Sequence, residues 1–405
     1  MPDLLDAFLA FFLALVVVWI STPVVKSFAW RIGAIDEPSE RGLHQMPTPR
    51  LGGLAILAGI LAAGLVWLPN DHQTHGILIG AAVIVAVGIA DDLLDLSADV
   101  KLAGQVLAAV IPVASGVRVE TMTLPFLGHL DLGELSYPLT VVGIVAVMNI
   151  VNFIDGIDGL AAGVCTIAGM TFAVIALSLD RYAAGVLAML TAGAALGYLR
   201  HGFHPASIFL GDSGSNLLGY MLATVAVQGA LKTNAVIALF LPLIILTVPI
   251  LDTGFVVAKR LKYKRPIYRA DRWHFHHRMA NIGFSQRRTL AYMYGWTLIM
   301  ALLALALRFV PYSDDHGHFD ALWTAVLAAF GLMALAASVY LVEVLEILKL
   351  RRVRLRQVAG LRREARRPVP APADLDRAVA TELETGTFPA IDPETGEFEA
   401  VEPGD

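Results

Sequence analysis

Eleven apolar runs recur along this chain, at roughly 4–25, 51–68, 76–93, 102–116, 138–153, 159–179, 182–199, 214–230, 235–257, 289–310 and 321–347. About 20 apolar residues form a helix that crosses the ~30 Å hydrocarbon layer of a bilayer. In lipid every backbone polar group must be satisfied within the segment, so runs of this kind are read as helices. The expected fold is therefore an all-α polytopic membrane protein with about eleven transmembrane helices. Composition agrees, with 57% of the 405 residues hydrophobic and 16% charged, and a mean hydropathy of +0.66. A soluble domain carries about 25% charged residues. The first run is too long and uninterrupted for a cleaved signal peptide, and no small-residue cleavage site follows it. It is read as a retained span. The single cysteine, Cys165, excludes an intrachain disulfide and any CxxC motif. From Pro368 the sequence is rich in Pro, Ala, Glu and Asp, with Arg377 as its one basic residue. Such a composition predicts disorder. The expected organisation is a transmembrane domain over 1–350 and a basic-then-acidic tail over 351–405.

Alternating the spans from an N-terminus placed outside puts 26 of the 30 Lys and Arg on the inner side; Arg118, Arg181, Lys232 and Arg308 are the exceptions. That asymmetry satisfies the positive-inside rule, and the reverse orientation does not. The outer segment 117–137 alternates around glycines and predicts a short hairpin. The same orientation gathers five polar clusters on the inner side: "DEPSERGLHQMPTPRLGG", "DDLLD", "NFIDGIDG", "FLGDSGS" and "RADRWHFHHRM". Polar groups at a membrane are expensive, and several clusters on one face suit an enzyme site at the interface. A transporter more often carries its ionisable groups at mid-membrane on broken helices.

Each cluster has its own chemistry. In "DDLLD", Asp95 neighbours both Asp91 and Asp92 if the segment is helical. Three acids on one turn fit either a solvated helix end or a site for Mg²⁺ or a proton. Lys101, at the start of the next span, serves as a snorkelling anchor or as a phosphate ligand. Asn149, Asn152, Asp155 and Asp158 are spaced three apart, and Gly156 and Gly159 loosen the backbone beside them. Capping of the next helix accounts for Asp158, but not for all four. Asp212 lies in a Gly-Ser turn opening a span, with Ser213 as the expected N-cap and free N–H groups suited to a phosphate. In the longest inner loop, Arg269 and Arg272 flank His274, His276, His277 and Arg278. His-x-His spacing also suits zinc, but arginines on both sides and no nearby cysteine favour phosphate. Walker A and GxGxxG patterns are absent from the sequence. Carboxylates and amides for one Mg²⁺, with Arg and His for phosphate oxygens, point to phosphoryl-type transfer between a nucleotide-bearing donor and a lipid phosphate.

Over about residues 1 to 350 the chain resembles the polyprenyl-phosphate N-acetylhexosamine-1-phosphate transferases, in their WecA/TagO-like branch. The ordered motifs are DDxxD at 91–95, NxxNxxDGxDGL at 149–160, GDSGS at 211–215 and DRxHxHHR at 271–278. The MraY-like sibling branch usually has Lys where Asp95 stands. The resemblance implies transfer of GlcNAc-1-phosphate from UDP-GlcNAc to undecaprenyl or decaprenyl phosphate, with release of UMP. It implies a multi-pass protein of the bacterial cytoplasmic membrane, with catalytic loops and C-terminus inside. By motif position, Asn152 and Asp212 would ligate Mg²⁺, for which Mn²⁺ could substitute. Asp91 and Asp92 would handle the lipid phosphate, one as base or positioning group. Asp155 and Asp158 would shape the nucleotide pocket and belong with the catalytic set. Lys101 and Arg278 would meet phosphate or sugar, and His274, His276 and His277 would close over the sugar phosphate. Asp95, Asn149 and His44 would join the substrate contacts, with Arg50 in the same first inner loop. A homodimer is compatible with this picture, and no nucleic-acid partner is expected.

One departure stands out. Related sequences commonly have Asn before "F-x-P-A", whereas this chain reads "RHGFHPA", with Gly202 there and His201 and His204 beside it. The competing reading, an anion or divalent-cation transporter, would use the buried Asp252, about 10 Å along a helix from the inner edge. The alternative reading of Asp252 places it in the lining of the acceptor groove. A non-catalytic anchor would leave the inner clusters unexplained.

Overall fold

The computed structural model describes residues 2–37, 46–124, 128–230, 236–262, 283–312, 320–336 and 338–339, Phe275, Met279, and two strands near the C-terminus. The chain divides into two compact units, Met1–Ile347 and Leu348–Asp405. The first unit is built of helices: α1 (Pro2–Ile32), α2 (Gly52–Trp67), α3 (His72–Leu94), α4 (Ala98–Ala114), α5 (Ser136–Ile154), α6 (Leu160–Ser178), α7 (Tyr182–Gly202), α8 (Gly211–Ala230), α9 (Val236–Ile245), α10 (Thr247–Lys262), α11 (Gln286–Phe309) and α12 (Ala321–Ala336). Among the described residues six helices are long and apolar enough to cross a membrane: α1, α3, α5, α6, α7 and α11. The protein is an all-α polytopic membrane protein.

Burial separates inner from outer helices. The apolar windows of α6 and α7 are 72% and 78% buried, against 28% for α1, 33% for α5 and 39% for α3. Helix α7 also packs closely on α1, because small residues line it. A Cβ at Gly193 or Gly197 would stand 2.2 or 2.4 Å from the carbonyl oxygens of Phe11 and Leu15. These two glycines, one turn apart, therefore let the backbones of α7 and α1 meet. A second tie joins the same helices. Pro23, inside α1, has no N–H for the Trp19 carbonyl. The ring of His201 takes that carbonyl instead, at 3.1 Å.

The apolar run at 235–257 is two helices, not one. Pro249 offers no N–H to the Ile245 carbonyl, and the chain turns at Leu246. The hairpin expected at 117–137 is present: β3 (Thr121–Leu124) pairs antiparallel with β4 (Gly128–Asp131). A shorter pair, β1 (Ile35–Asp36) and β2 (Thr48–Pro49), closes the loop between α1 and α2. In the second unit β5 (Pro389–Ile391) pairs antiparallel with β6 (Phe398–Ala400). The rest of the tail lies outside the described residues.

Candidate active site

The site forms where the ends of α3, α4, α5 and α8 meet. Helix α3 stops at Leu94 because Asp95 takes a left-handed conformation, φ 50° and ψ 65°, which Asp tolerates better than most residues. Asp95 is therefore exposed beyond the helix, and the expectation that it shares a turn with Asp91 and Asp92 does not hold. The chain then reverses into α4, which carries Lys101 back over α3. The Lys101 ammonium stands 3.0 Å from Asp91 Oδ2 and also bonds Asp212 Oδ2. It is turned into the protein rather than extended as a snorkelling anchor. Asp91 also accepts the Leu96 N–H, at 2.9 Å.

Asp92 does something different. Its two oxygens accept the backbone N–H groups of Asp212, at 2.9 Å, and Ser213, at 3.2 Å. It caps the first turn of α8 from another helix, offsetting the positive end of the helix dipole. Two of the N–H groups expected to be free for a phosphate are thus occupied. Ser213 is not the N-cap, because α8 already begins at Gly211. Close approach makes this possible: a Cβ on Gly53 or Gly88 would stand 2.3 Å from atoms of the Ser213–Gly214 backbone. The loop before α8 is pinned further by Gly52 and Gly53, which donate to the Phe209 and Leu210 carbonyls.

The amide and the acid expected to share a metal are in contact. Asn152 Nδ2 lies 2.6 Å from Asp212 Oδ1 and 2.8 Å from Ser215 Oγ. Asn149, one turn earlier on α5, is not turned toward this cluster. It bonds Gln105 and the Val145 carbonyl. At the end of α5, burial and the charges of Asp212, Asp92 and Asp158 push the Asp155 carboxyl well above the usual carboxylate range. Asp158 does not cap α6, whose N-cap residue is Gly159. It accepts the Ala206 N–H at 3.0 Å and pairs with His204 Nδ1 at 2.9 Å, fixing the loop after α7. At Gly202 a Cβ would meet the Tyr198 ring at 2.2 Å, and Tyr198 donates to the Ile208 carbonyl at 2.8 Å. The tyrosine fills the space that an asparagine would need.

His44, His274, His276, His277 and Arg278 lie outside the described residues. Phe275 and Met279, from the histidine segment, are buried, and Phe275 packs on Phe255 and Trp296 with ring centroids 5.9 and 5.7 Å away. The buried Asp252 accepts the Phe275 N–H at 2.6 Å, tethering Phe275 to α10. Arg50 pairs with Asp36.

The donor set fits Mg²⁺. Among the described residues no group of three or more His, Cys, Asp and Glu is placed to hold a metal. Mg²⁺ does not need such a cage: it commonly takes one or two carboxylates, with waters and substrate phosphates completing its shell. Asp212 and Asp91 offer carboxylate oxygens around Lys101, and reversing the Asn152 amide presents its oxygen to the same point. A further divalent charge would also offset the mutual repulsion of Asp91, Asp92, Asp155 and Asp212.

Membrane-length helices whose ends collect carboxylates, amides and a lysine define an integral-membrane protein with a polar site at its helix ends. Glycosyl transferase family 4 matches residues 74–230, which span α3 to α8. A Bacillus subtilis protein named as a probable undecaprenyl-phosphate N-acetylglucosaminyl 1-phosphate transferase is 40% identical over 304 residues, covering 74% of this chain and 84% of that protein. The decaprenyl-phosphate N-acetylglucosaminephosphotransferase of Mycobacterium leprae is 35% identical over 327 residues, 73% of this chain and 82% of the relative. A phospho-N-acetylmuramoyl-pentapeptide-transferase of Desulforudis audaxviator is 32% identical over 338 residues, 75% and 98% of the two chains. The chain belongs to the polyprenyl-phosphate N-acetylhexosamine-1-phosphate transferase family, in its WecA/TagO-like branch.

Two site residues, Gln105 and Asn216, escaped the motif reading, and Ser215, inside the GDSGS motif, was given no role there; all three bond into the cluster. One signal was available for Gln105: it is a lone amide in an apolar run, four residues after Lys101.

Proposed function

We propose that this protein transfers GlcNAc-1-phosphate from UDP-GlcNAc to undecaprenyl or decaprenyl phosphate. The products are UMP and a polyprenyl-diphosphate-linked GlcNAc, the first lipid-linked intermediate of a cell-envelope polysaccharide. The observation that carries this reading is the contact of Asn152 with Asp212, where Asp212 also meets Lys101 and Asp91. The names of the bacterial relatives support the same donor sugar and acceptor class, and they speak against a transporter.

In the reaction, a phosphate oxygen of the lipid attacks the phosphorus bonded to the sugar oxygen. A new P–O–P bond forms, the bond to the uridine-bearing phosphate breaks, and UMP leaves. A phosphate monoester is already nucleophilic near neutral pH, so no covalent aspartyl intermediate is required. Mg²⁺, when bound by Asn152 and Asp212, supplies positive charge against the donor diphosphate. Asp92 keeps the start of α8 in place, and Lys101 bridges Asp91 and Asp212 while lending its own charge to the phosphates. Asp91 orients the incoming lipid phosphate. Asp158, through the loop at 204–206, shapes the nucleotide side of the site, and the histidine segment closes over the sugar.

The transmembrane domain spans 1–350 and crosses the bacterial cytoplasmic membrane eleven times, with the N-terminus outside and the site and the 351–405 tail inside. Incubating the purified protein with UDP-GlcNAc, polyprenyl phosphate and Mg²⁺, beside a panel of other UDP-sugars, tests the reading. Release of UMP that requires the lipid phosphate and favours UDP-GlcNAc is expected. No UMP release, with ion flux in vesicles instead, would overturn it.

A further inference from the structure

Below the reactive cluster lies a second layer of polar side chains: Gln105 and Asn216, fully buried, and the half-buried Asn149. Gln105 and Asn216 are 1% and 2% exposed. Gln105 Oε1 accepts from Asn149 Nδ2 at 2.7 Å, and Gln105 Nε2 donates to Asn216 Oδ1 at 2.8 Å. Asn216 Nδ2 then donates to the Asp212 carbonyl at 2.8 Å. One amide from each of α4, α5 and α8 meets there, joined through Gln105.

The spacing links this layer to the one above it. Gln105 is four residues after Lys101 on α4, Asn149 three before Asn152 on α5, and Asn216 four after Asp212 on α8. Each amide therefore lies one helical turn, ~5.4 Å, from a member of the cluster and on the same face. We infer that Gln105 is a positioning residue: it fixes the rotation and height of α4, α5 and α8, so that Lys101, Asn152 and Asp212 converge on one point. This rests on the proposed function only in naming what converges there.

The chemistry makes Gln105 hard to replace. It must accept from one neighbour and donate to another at the same time, which only an amide of this length does here. Asn216 is already oriented by the Asp212 carbonyl, so its oxygen demands a donor. Unpaired buried amides cost free energy. That cost would be relieved by rotating the helices, which would spread the upper layer.

The test uses full-length protein in detergent, with Mn²⁺ as the probe, read by electron paramagnetic resonance, beside UMP release. Gln105→Met should lower kcat about 30-fold, with KM for the nucleotide sugar within about threefold. It should also weaken Mn²⁺ binding about tenfold. A combined Gln105→Met, Asn149→Leu, Asn216→Leu variant leaves no amide in the layer to go unpaired. It should recover thermal stability while kcat and Mn²⁺ affinity stay low. If kcat and Mn²⁺ affinity return with stability, or if Gln105→Met leaves both unchanged per folded molecule, the layer is only packing and the inference is overturned. Should the wild type release no UMP, the functional reading fails by itself. Mn²⁺ affinity then decides the role of Gln105, with equal binding in wild type and Gln105→Met ruling it out.

Discussion

Asp92 holds Asp212 by its backbone: one oxygen accepts the Asp212 N–H at 2.9 Å and the other accepts the Ser213 N–H at 3.2 Å. Its neighbour Asp91 instead faces the Lys101 ammonium at 3.0 Å. Two adjacent acids thus have separate partners: Asp92 ties down the backbone of α8, and Asp91 pairs with the Lys101 ammonium. Asp92→Ala removes a cap that joins two helices. It should cost about 1–2 kcal/mol of stability as well as activity. Asp91→Ala should abolish activity with a smaller fall in melting temperature. Thermal unfolding in detergent distinguishes them, and the reverse order would contradict the assignment.

Lys101 occupies the space between Asp91 and Asp212. Its ammonium competes there with any added cation, while its charge favours phosphate. Lys101→Met should therefore bind Mn²⁺ more tightly than the wild type, yet turn over at least about 100-fold more slowly. Weaker Mn²⁺ binding in Lys101→Met would show that the lysine supports the cation rather than opposing it.

Asp155 is pushed above the usual carboxylate range by burial and by Asp212, Asp92 and Asp158. The folded protein then holds this proton more tightly than the unfolded chain. Its stability falls as pH rises from the ordinary carboxylate value up to the raised one, and the full penalty persists above that. Asp155→Asn removes the penalty. In metal-free buffer the variant should melt at a higher temperature than the wild type at pH 8, with the gap closing toward pH 4. Melting curves across that range check the sign.

Gly202 and Tyr198 form a matched pair, because a Cβ at 202 would stand 2.2 Å from the tyrosine ring. Gly202→Asn should cost about 1–3 kcal/mol through overpacking. Adding Tyr198→Leu should recover much of that loss, since it vacates the same space. The double variant losing as much as the sum of the singles would show that the two sites are independent.

Much of this architecture was legible before the fold was known. Apolar length marks a membrane helix directly, so the runs that became α1 through α8 stand out. Asp91, Asp92, Asn152 and Asp212 are conspicuous because acids and amides are rare against such a background. The residues that were hidden are those whose meaning depends on a distant partner. Gln105 looks like an isolated polar residue until Asn149 and Asn216 come to meet it from 44 and 111 positions away. Asp252 gains its role from the Phe275 backbone. Local backbone geometry was also hidden: the left-handed Asp95 removes one acid from the helical turn, and Pro249 divides one apolar run into α9 and α10.

The central claim is that one divalent ion is held jointly by the side chains of Asn152, on α5, and Asp212, on α8. The most direct measurement is Mn²⁺ binding by electron paramagnetic resonance in the presence of UDP-GlcNAc, for the wild type, Asn152→Ala and Asp212→Asn. The account predicts one bound ion in the wild type and at least tenfold weaker binding in each variant, about 1.4 kcal/mol. Undiminished binding in either variant would contradict it.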